Sequence, residues 1–209
     1  HPSGLQTTLG TQEHLKNPSI VNIENYRANF YVPNNVAICV SGDFDPDTFV
    51  ATSEKYFGAW KPNPDIKYLE YEPEQAITAP VQKDVYGLDA EFVMMGWRVP
   101  GSNDFLRSEV GDIVGDILYN GQAGLADLNL IQAQKVNGFY GFNYTRPDYG
   151  EFLLVGYPRE GQTLDEVRDL MLGQVAKLRS GDFDESLIQS ILDNYKLSEM
   201  RKLESNEDM

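Results

Sequence analysis

The chain has 209 residues, which is enough for one large domain or two small ones with a substantial hydrophobic core. Its composition, 41% hydrophobic and 23% charged, is that of an ordinary globular protein, and no apolar run approaches the roughly 20 residues of a membrane span. The net charge of −15 argues against nucleic-acid binding, because phosphate backbones are bound by clustered lysine and arginine. We interpret this negative charge as one that keeps the chain soluble; the alternative is that it attracts basic peptides.

In the first part of the chain, Ser19 is predicted to cap a helix whose apolar residues recur at three- and four-residue steps as far as Phe30. The apolar run at residues 36–41 predicts a buried strand, with Cys39 as a small buried side chain. Asp45 is predicted to cap a second helix that ends at Gly58. Residues 61–80 are rich in proline and acidic residues, and we expect an internal loop, with a domain linker as the alternative.

The second part is predicted to contain strands at 81–86 and 91–99, a helix at about 106–118, a short helical piece at 125–133 and a hairpin of strands 139–145 and 151–157. The buried stripe of the helix at 106–118 is predicted to consist of Leu106, Val110, Ile113, Val114, Ile117 and Leu118. A capping box at Thr163–Glu166 opens a helix that Gly181 ends, and a last helix follows Asp184. Because antiparallel strands and helices come in blocks, the fold class is predicted to be α+β, with helices on one face of a mainly antiparallel sheet.

The sequence contains neither His-x-x-Glu-His nor His-Glu-x-x-His, and it lacks the common nucleophile and phosphate-binding motifs. His1 and His14 have no second His or Cys at ligand spacing, so no complete metal site is predicted. Alternation places Tyr140, Phe142 and Tyr144 on one face of a strand. We expect this face to pack beneath helices; a peptide-facing role is the alternative, since tyrosine combines apolar area with a hydrogen-bonding tip.

Several sequence blocks, in this order and spacing, resemble the pitrilysin/insulinase family of zinc metallopeptidases. They lie at residues 1–4, 10–17, 31–35, 40–46, 55–60, 117–121, 124–125 and 138–145, so that the resemblance covers nearly the whole chain. The most specific are Gly42-Asp43-Phe44-Asp45-Pro46 and Lys55-Tyr56-Phe57-Gly58-Ala59-Trp60. The resemblance implies the family's C-terminal-type α+β domain, which carries no zinc motif.

In that family, the zinc ligands and the water-activating glutamate lie upstream of the segment that resembles residues 1–4. The resemblance therefore implies no catalytic residue and no metal ligand in this chain, with zinc only in the longer protein. Tyr140 corresponds to a substrate-binding tyrosine of the family, although the region 129–135, where the family has an arginine, contains none. We expect the domain order to be an entry segment at 1–17, one α+β domain at 18–204 that resembles the second domain of the family's catalytic half, and a truncated tail at 205–209. The resemblance implies a non-catalytic structural domain that forms part of the chamber of a zinc-dependent metalloendopeptidase, an enzyme that degrades or processes peptides.

The implied partners are an upstream zinc-bearing domain, a second half of the same peptidase, and peptide substrates; no nucleic acid and no membrane span are expected. We expect both ends to be cuts in a longer chain, and the family favours the bacterial periplasm or cell envelope over the cytoplasm. Two alternatives remain open at this point. The domain could belong to an inactive scaffold homologue, as in the core subunits of respiratory complexes, or it could be an independent acidic peptide-binding module.

Overall fold

A computed structural model describes residues 9–68, 70 and 72–205. The chain divides into two compact units, one formed by the residues up to Thr78 together with those from Leu203, the other by Ala79–Lys202. The boundary falls within the proline-rich stretch at 61–80, and the predicted single domain at 18–204 stays a prediction. None of the helices in the described part of the chain is long and apolar enough to cross a lipid bilayer.

The first unit is helical, and its helix ends follow the predicted capping signals. It contains α1 (Gln12–Lys16), α2 (Ile20–Phe30), a 3-10 turn (Pro33–Asn35) and α3 (Pro46–Phe57). The Ser19 hydroxyl accepts a hydrogen bond from the Asn22 amide at 3.3 Å, and the Asp45 carboxylate accepts one from the Thr48 amide at 2.9 Å. Both contacts satisfy amides that have no partner inside the helix.

The predicted strand at residues 36–41 is wrong: this segment pairs with no strand among the described residues. Its side chains, including the Cys39 thiol, are exposed rather than buried. The predicted strand at 81–86 is likewise absent, and Val85 and Tyr86 are almost fully exposed. An apolar run favours a buried strand only where a neighbouring strand satisfies its backbone groups.

The second unit is a three-stranded antiparallel sheet with helices, which confirms the predicted α+β class. Its elements are β1 (Val93–Pro100), α4 (Phe105–Leu118), a π-helical segment (Asp127–Gln132), β2 (Gly138–Thr145), β3 (Tyr149–Tyr157), α5 (Leu164–Ser180) and α6 (Ser186–Lys202). The strands lie in the order β1-β3-β2, so that β3 is central. The Thr163–Glu166 capping box and the left-handed Gly181, with φ of 72°, bound α5 as predicted.

The core lies between the helices and one face of the sheet. Gly156 of β3 allows α5 to approach closely, since a Cβ there would lie 2.5 Å from the Met171 sulphur. Across this interface the sheet contributes buried Phe139 and Leu154, and the helices contribute buried Val167 and Met171. Helices therefore cover one face of the sheet and leave its other face uncovered by them.

Helix α4 approaches the sheet through small residues, and only part of its predicted apolar stripe lies in or against the core. Ser108, Gly111 and Gly115 face β2 and β3; a Cβ at Gly111 would lie 2.8 Å from the Asn143 amide nitrogen. Ile117 and Leu118 are buried as predicted, but Leu106 and Val110 are exposed. The prediction that these two lie in the buried stripe is therefore wrong, because the close approach of the backbones fixes which face of α4 turns inward.

Candidate functional site

The face of the sheet opposite the helices is the candidate functional site, and we call it the open face. On β2 it presents Tyr140, Phe142 and Tyr144, which are 49%, 43% and 52% exposed. The alternate residues Phe139 and Asn143 of the same strand point to the helix side. The shared face of the three aromatic residues is confirmed, but the expectation that they pack beneath helices is wrong.

The strand register arranges the open face as cross-strand rows, each reading from β1 across β3 to β2. Met94 lies opposite Val155, which lies opposite Tyr140. In the next row Gly96, Leu153 and Phe142 are aligned in the same way. These rows are apolar apart from the Tyr140 hydroxyl, and side chains in such cross-strand positions are close enough to contact one another.

At one end of the open face the aromatic side chains form a connected group. The Tyr157 ring lies 5.7 Å from the Phe92 ring and 6.1 Å, at 90°, from the Tyr140 ring. The Tyr119 ring lies 5.7 Å from Tyr140 and 5.8 Å from Phe139. These separations and tilts are those favoured by aromatic pairs, and they hold Tyr140 at the edge of the sheet.

Asp127 fixes the segment that carries Tyr119. Its buried carboxylate oxygen Oδ2 accepts hydrogen bonds from the amides of Asn120, Gly121 and Gly124 at 3.0, 3.1 and 3.0 Å. Burial raises the pKa of Tyr119, and the negative charge of Asp127 raises it further. Both effects favour the protonated form of the Tyr119 hydroxyl. Sequence patterns do not identify the role of this carboxylate, because its partners are backbone groups of a non-repetitive loop.

The other end of the open face carries charge. Arg98 of β1 lies opposite Glu151 of β3, which lies opposite Tyr144 of β2. The Arg146 guanidinium lies over the Tyr144 ring at 5.4 Å, and the Arg98 guanidinium lies over the Tyr149 ring at 5.6 Å. Both distances are within the range of cation–π contacts. This row places a positive and a negative group side by side rather than a concentration of one sign.

The remaining residues considered from the sequence lie outside the open face. In the region 129–135, the Asn129 side-chain amide donates to the Gln174 side chain of α5 at 2.9 Å, so this position is used for packing. His14 takes part in the capping box of α1 with Thr11, and His1 lies outside the described residues. The substrate-binding role of Tyr140 stays a prediction.

The described residues do not fit a zinc site. Within residues 9–68, 70 and 72–205, no group of three or more His, Cys, Asp or Glu side chains could hold a metal ion. Structural and catalytic zinc sites need at least three such protein ligands in a tetrahedral arrangement. The candidate site formed by the described residues is an apolar, aromatic sheet face.

Known proteins resemble this chain over nearly its whole length. The family model of the peptidase M16 inactive domain matches residues 21–195. A protein of Helicobacter pylori named zinc protease PqqE is 23% identical over 214 residues, which cover 97% of this chain and 46% of that protein. A crystal structure of a protease from Helicobacter pylori has the same fold, with a TM-score of 0.78 and 23% identity over 96% of this chain and 49% of that one.

This chain spans about half the length of the relatives that it matches. The family match, by contrast, extends over most of the sequence, from the first residues of α2 to Tyr195 in α6. It also agrees with the blocks that suggested a pitrilysin-type domain from the sequence. The chain belongs to the peptidase M16 inactive-domain family, the C-terminal-type domains of the pitrilysin family of zinc peptidases.

Proposed function

We propose that this chain is a non-catalytic domain that lines the peptide chamber of a zinc-dependent metalloendopeptidase. The observation that carries this proposal is the one-sided sheet. Helices cover one face, while the other keeps Tyr140, Phe142 and Tyr144 between about two-fifths and half exposed. A sheet face of this kind has apolar area that a bound peptide can bury.

The open face can bind a peptide but cannot itself cleave one. Aromatic rings bury large areas with little loss of side-chain freedom, and the Tyr140 hydroxyl can bond to a peptide group. Hydrolysis needs a metal-bound or otherwise activated water, and the described residues supply no metal-binding group. In this proposal, zinc and its ligands belong to a partner domain upstream, and a second half of the peptidase closes the chamber.

The two Helicobacter pylori relatives support the proposal that catalysis belongs to another domain of a longer protein. Each is about twice as long as the stretch that this chain matches, and each is named as a protease. The matched family is itself described as an inactive domain. A chamber role predicts that substitutions on the open face change peptide binding while the zinc content stays the same.

The test uses the full-length protein that contains this chain. We expect the double variant Tyr140→Ala/Phe142→Ala to raise KM for peptide hydrolysis between about fivefold and about 150-fold, since it removes two aromatic contacts that are each worth roughly 0.5–1.5 kcal/mol. Zinc content, measured by elemental analysis, should not change. The matched control is Phe105→Ala/Leu172→Ala, which removes two exposed apolar side chains from α4 and α5 and should leave KM unchanged.

Three results would contradict the proposal. One is an unchanged KM in the open-face variant, and another is a loss of zinc in that variant. The third is a full-length protein without zinc or peptidase activity, which would favour the inactive scaffold homologue. For the chain produced alone, we expect no peptide hydrolysis and no stoichiometric zinc; one tightly bound zinc per chain would overturn our placement of the ligands.

A further inference from the structure

The centre of the open face is a flat apolar platform formed by Gly96, Leu153 and Phe142, which lie in one cross-strand row. A Cβ built on Gly96 would lie 2.9 Å from the Leu153 Cδ2 atom. Leu153 therefore leans into the space above the glycine. The Leu153 side chain lies across the sheet beside the half-exposed Phe142 ring. An aromatic ring or a large aliphatic side chain of a bound peptide can pack against both of them.

The charges around the platform are placed unevenly. The row of Met94, Val155 and Tyr140 carries no charge at neutral pH, and Phe92 and Tyr157 beyond it carry none either. On the other side of the platform, the next row places the positive Arg98 opposite the negative Glu151. The platform is thus an uncharged surface in a chain whose net charge is −15.

We infer that the platform selects peptide segments with a large uncharged side chain, aromatic or aliphatic, over Leu153. The inference rests on the proposed chamber function and names its substrate class. A lysine, arginine or carboxylate at that position would lose hydration against apolar groups, while the nearest charged residues, Arg98 and Glu151, already lie opposite each other. An aromatic or leucine side chain would bury apolar area on both partners.

Gly96 takes part in this selection through its missing side chain. Because Leu153 occupies the position of a Gly96 side chain, any larger residue there must displace it. The variant Gly96→Val should remove the flat contact while adding apolar atoms, so it separates the shape of the platform from its hydrophobicity. Gly96 and Leu153 act here by contact with the peptide, and the chemistry of cleavage lies elsewhere.

The experiment measures kcat/KM of the full-length protein on a set of fluorogenic peptides. A single Phe, Leu, Lys or Glu is moved through each position of an otherwise Ala/Ser/Gly sequence. We expect the wild type to prefer Phe or Leu over Lys or Glu at one position or more. Leu153→Ala and Gly96→Val should each reduce this preference for Phe or Leu over Lys or Glu roughly two- to tenfold.

The matched control for Leu153→Ala is Leu172→Ala, which truncates an exposed leucine of α5 and should leave every peptide unaffected. A thermal scan of each variant identifies unfolding. The inference is overturned if the wild type prefers Lys or Glu at all positions, or if Leu153→Ala lowers cleavage of every peptide equally. If open-face variants change the cleavage of no peptide, the chamber function itself fails.

A second copy of the chain is the competing occupant of this face. Leu153→Asp separates the two cases, because it places a charge at the centre of the platform. With a peptide as the occupant, the wild type and this variant sediment alike, and the variant loses the preference for Phe. A wild-type dimer that Leu153→Asp dissociates would overturn the inference, since the platform would then be a self-association surface.

Discussion

Asp127→Ala is expected to destabilise the second unit by about 4 kcal/mol. The carboxylate is 4% exposed, and its Oδ2 atom accepts three backbone hydrogen bonds at 3.0–3.1 Å. These bonds hold the loop at 120–124 between α4 and the π-helical segment. The same loop begins next to Tyr119, whose ring packs against Tyr140 at the edge of the open face.

The magnitude follows from the environment of each amide. The Gly124 N–H bond is buried, and leaving this donor without an acceptor costs roughly 2 kcal/mol. The Asn120 and Gly121 bonds are partly buried, so water can reach these amides after truncation, and each loss costs about 1 kcal/mol. Asp127→Asn keeps one acceptor oxygen but loses the charge, so we expect about half the effect, roughly 2 kcal/mol.

Urea unfolding followed by circular dichroism measures these differences, with Asp193→Ala as the matched control. Asp193 lies exposed on α6 beside Lys196, and its loss should change the free energy of unfolding by no more than about 0.5 kcal/mol. Equal effects of Asp127→Ala and Asp193→Ala would refute the reasoning. In Asp127→Asn, the pKa of Tyr119 should also fall, because the negative charge that helps to raise it is removed. This change can be measured by ultraviolet titration of the tyrosines at alkaline pH.

Gly156→Ala should destabilise the fold by about 1–3 kcal/mol in urea unfolding, because the new Cβ would lie 2.5 Å from the Met171 sulphur. Its control, Gly173→Ala in α5, meets no atom within 4 Å and should stabilise by roughly 0.5–1 kcal/mol; the opposite order would contradict the packing of α5 on β3. Hydrogen bonds from the Thr163 amide and hydroxyl lower the pKa of Glu166 below its ordinary 4.5. Because the folded pKa is depressed, this stabilisation is present above pH 4.5 and is lost as the pH falls through the folded pKa. Glu166→Gln should therefore weaken the dependence of the melting temperature on pH below about pH 4.5. An unchanged dependence would contradict a stabilising role of the Glu166 carboxylate.

The sequence predicts the second unit better than the first, for a physical reason. Helix ends such as Thr163 and Gly181 are fixed by hydrogen bonds to residues within a few positions, so local patterns identify them. Strands depend on partners far away in the chain. The hairpin of β2 and β3 was predictable because its partners are adjacent in sequence, whereas residues 36–41 have the composition of a strand but no ladder in the described chain.

The candidate site was predictable in outline and not in its environment. Alternation placed Tyr140, Phe142 and Tyr144 on one face, but it could not tell which face the helices cover. That choice depends on Gly111 and Gly156, where missing side chains let α4 and α5 approach the opposite face. The same glycines that let the helices pack on one face of the sheet leave the aromatic side chains on the other face. Hydrophobic patterns in a single sequence do not show where two backbones approach each other closely.

The open face can also be judged by its energetic cost. Half-exposed Phe142, Met94 and Tyr144 on one sheet face reduce solubility and contribute little to folding, so such a surface is retained where binding requires it. The net charge of −15 can keep the chain soluble in spite of it. A phenylalanine buried against both partners gains more free energy than a lysine that stays hydrated. The preference for large uncharged side chains therefore distinguishes this domain from an acidic peptide-binding module. A module that acts through its net charge would bind basic peptides and release them at high salt concentration. The platform should keep its preference for large uncharged side chains at high salt concentration.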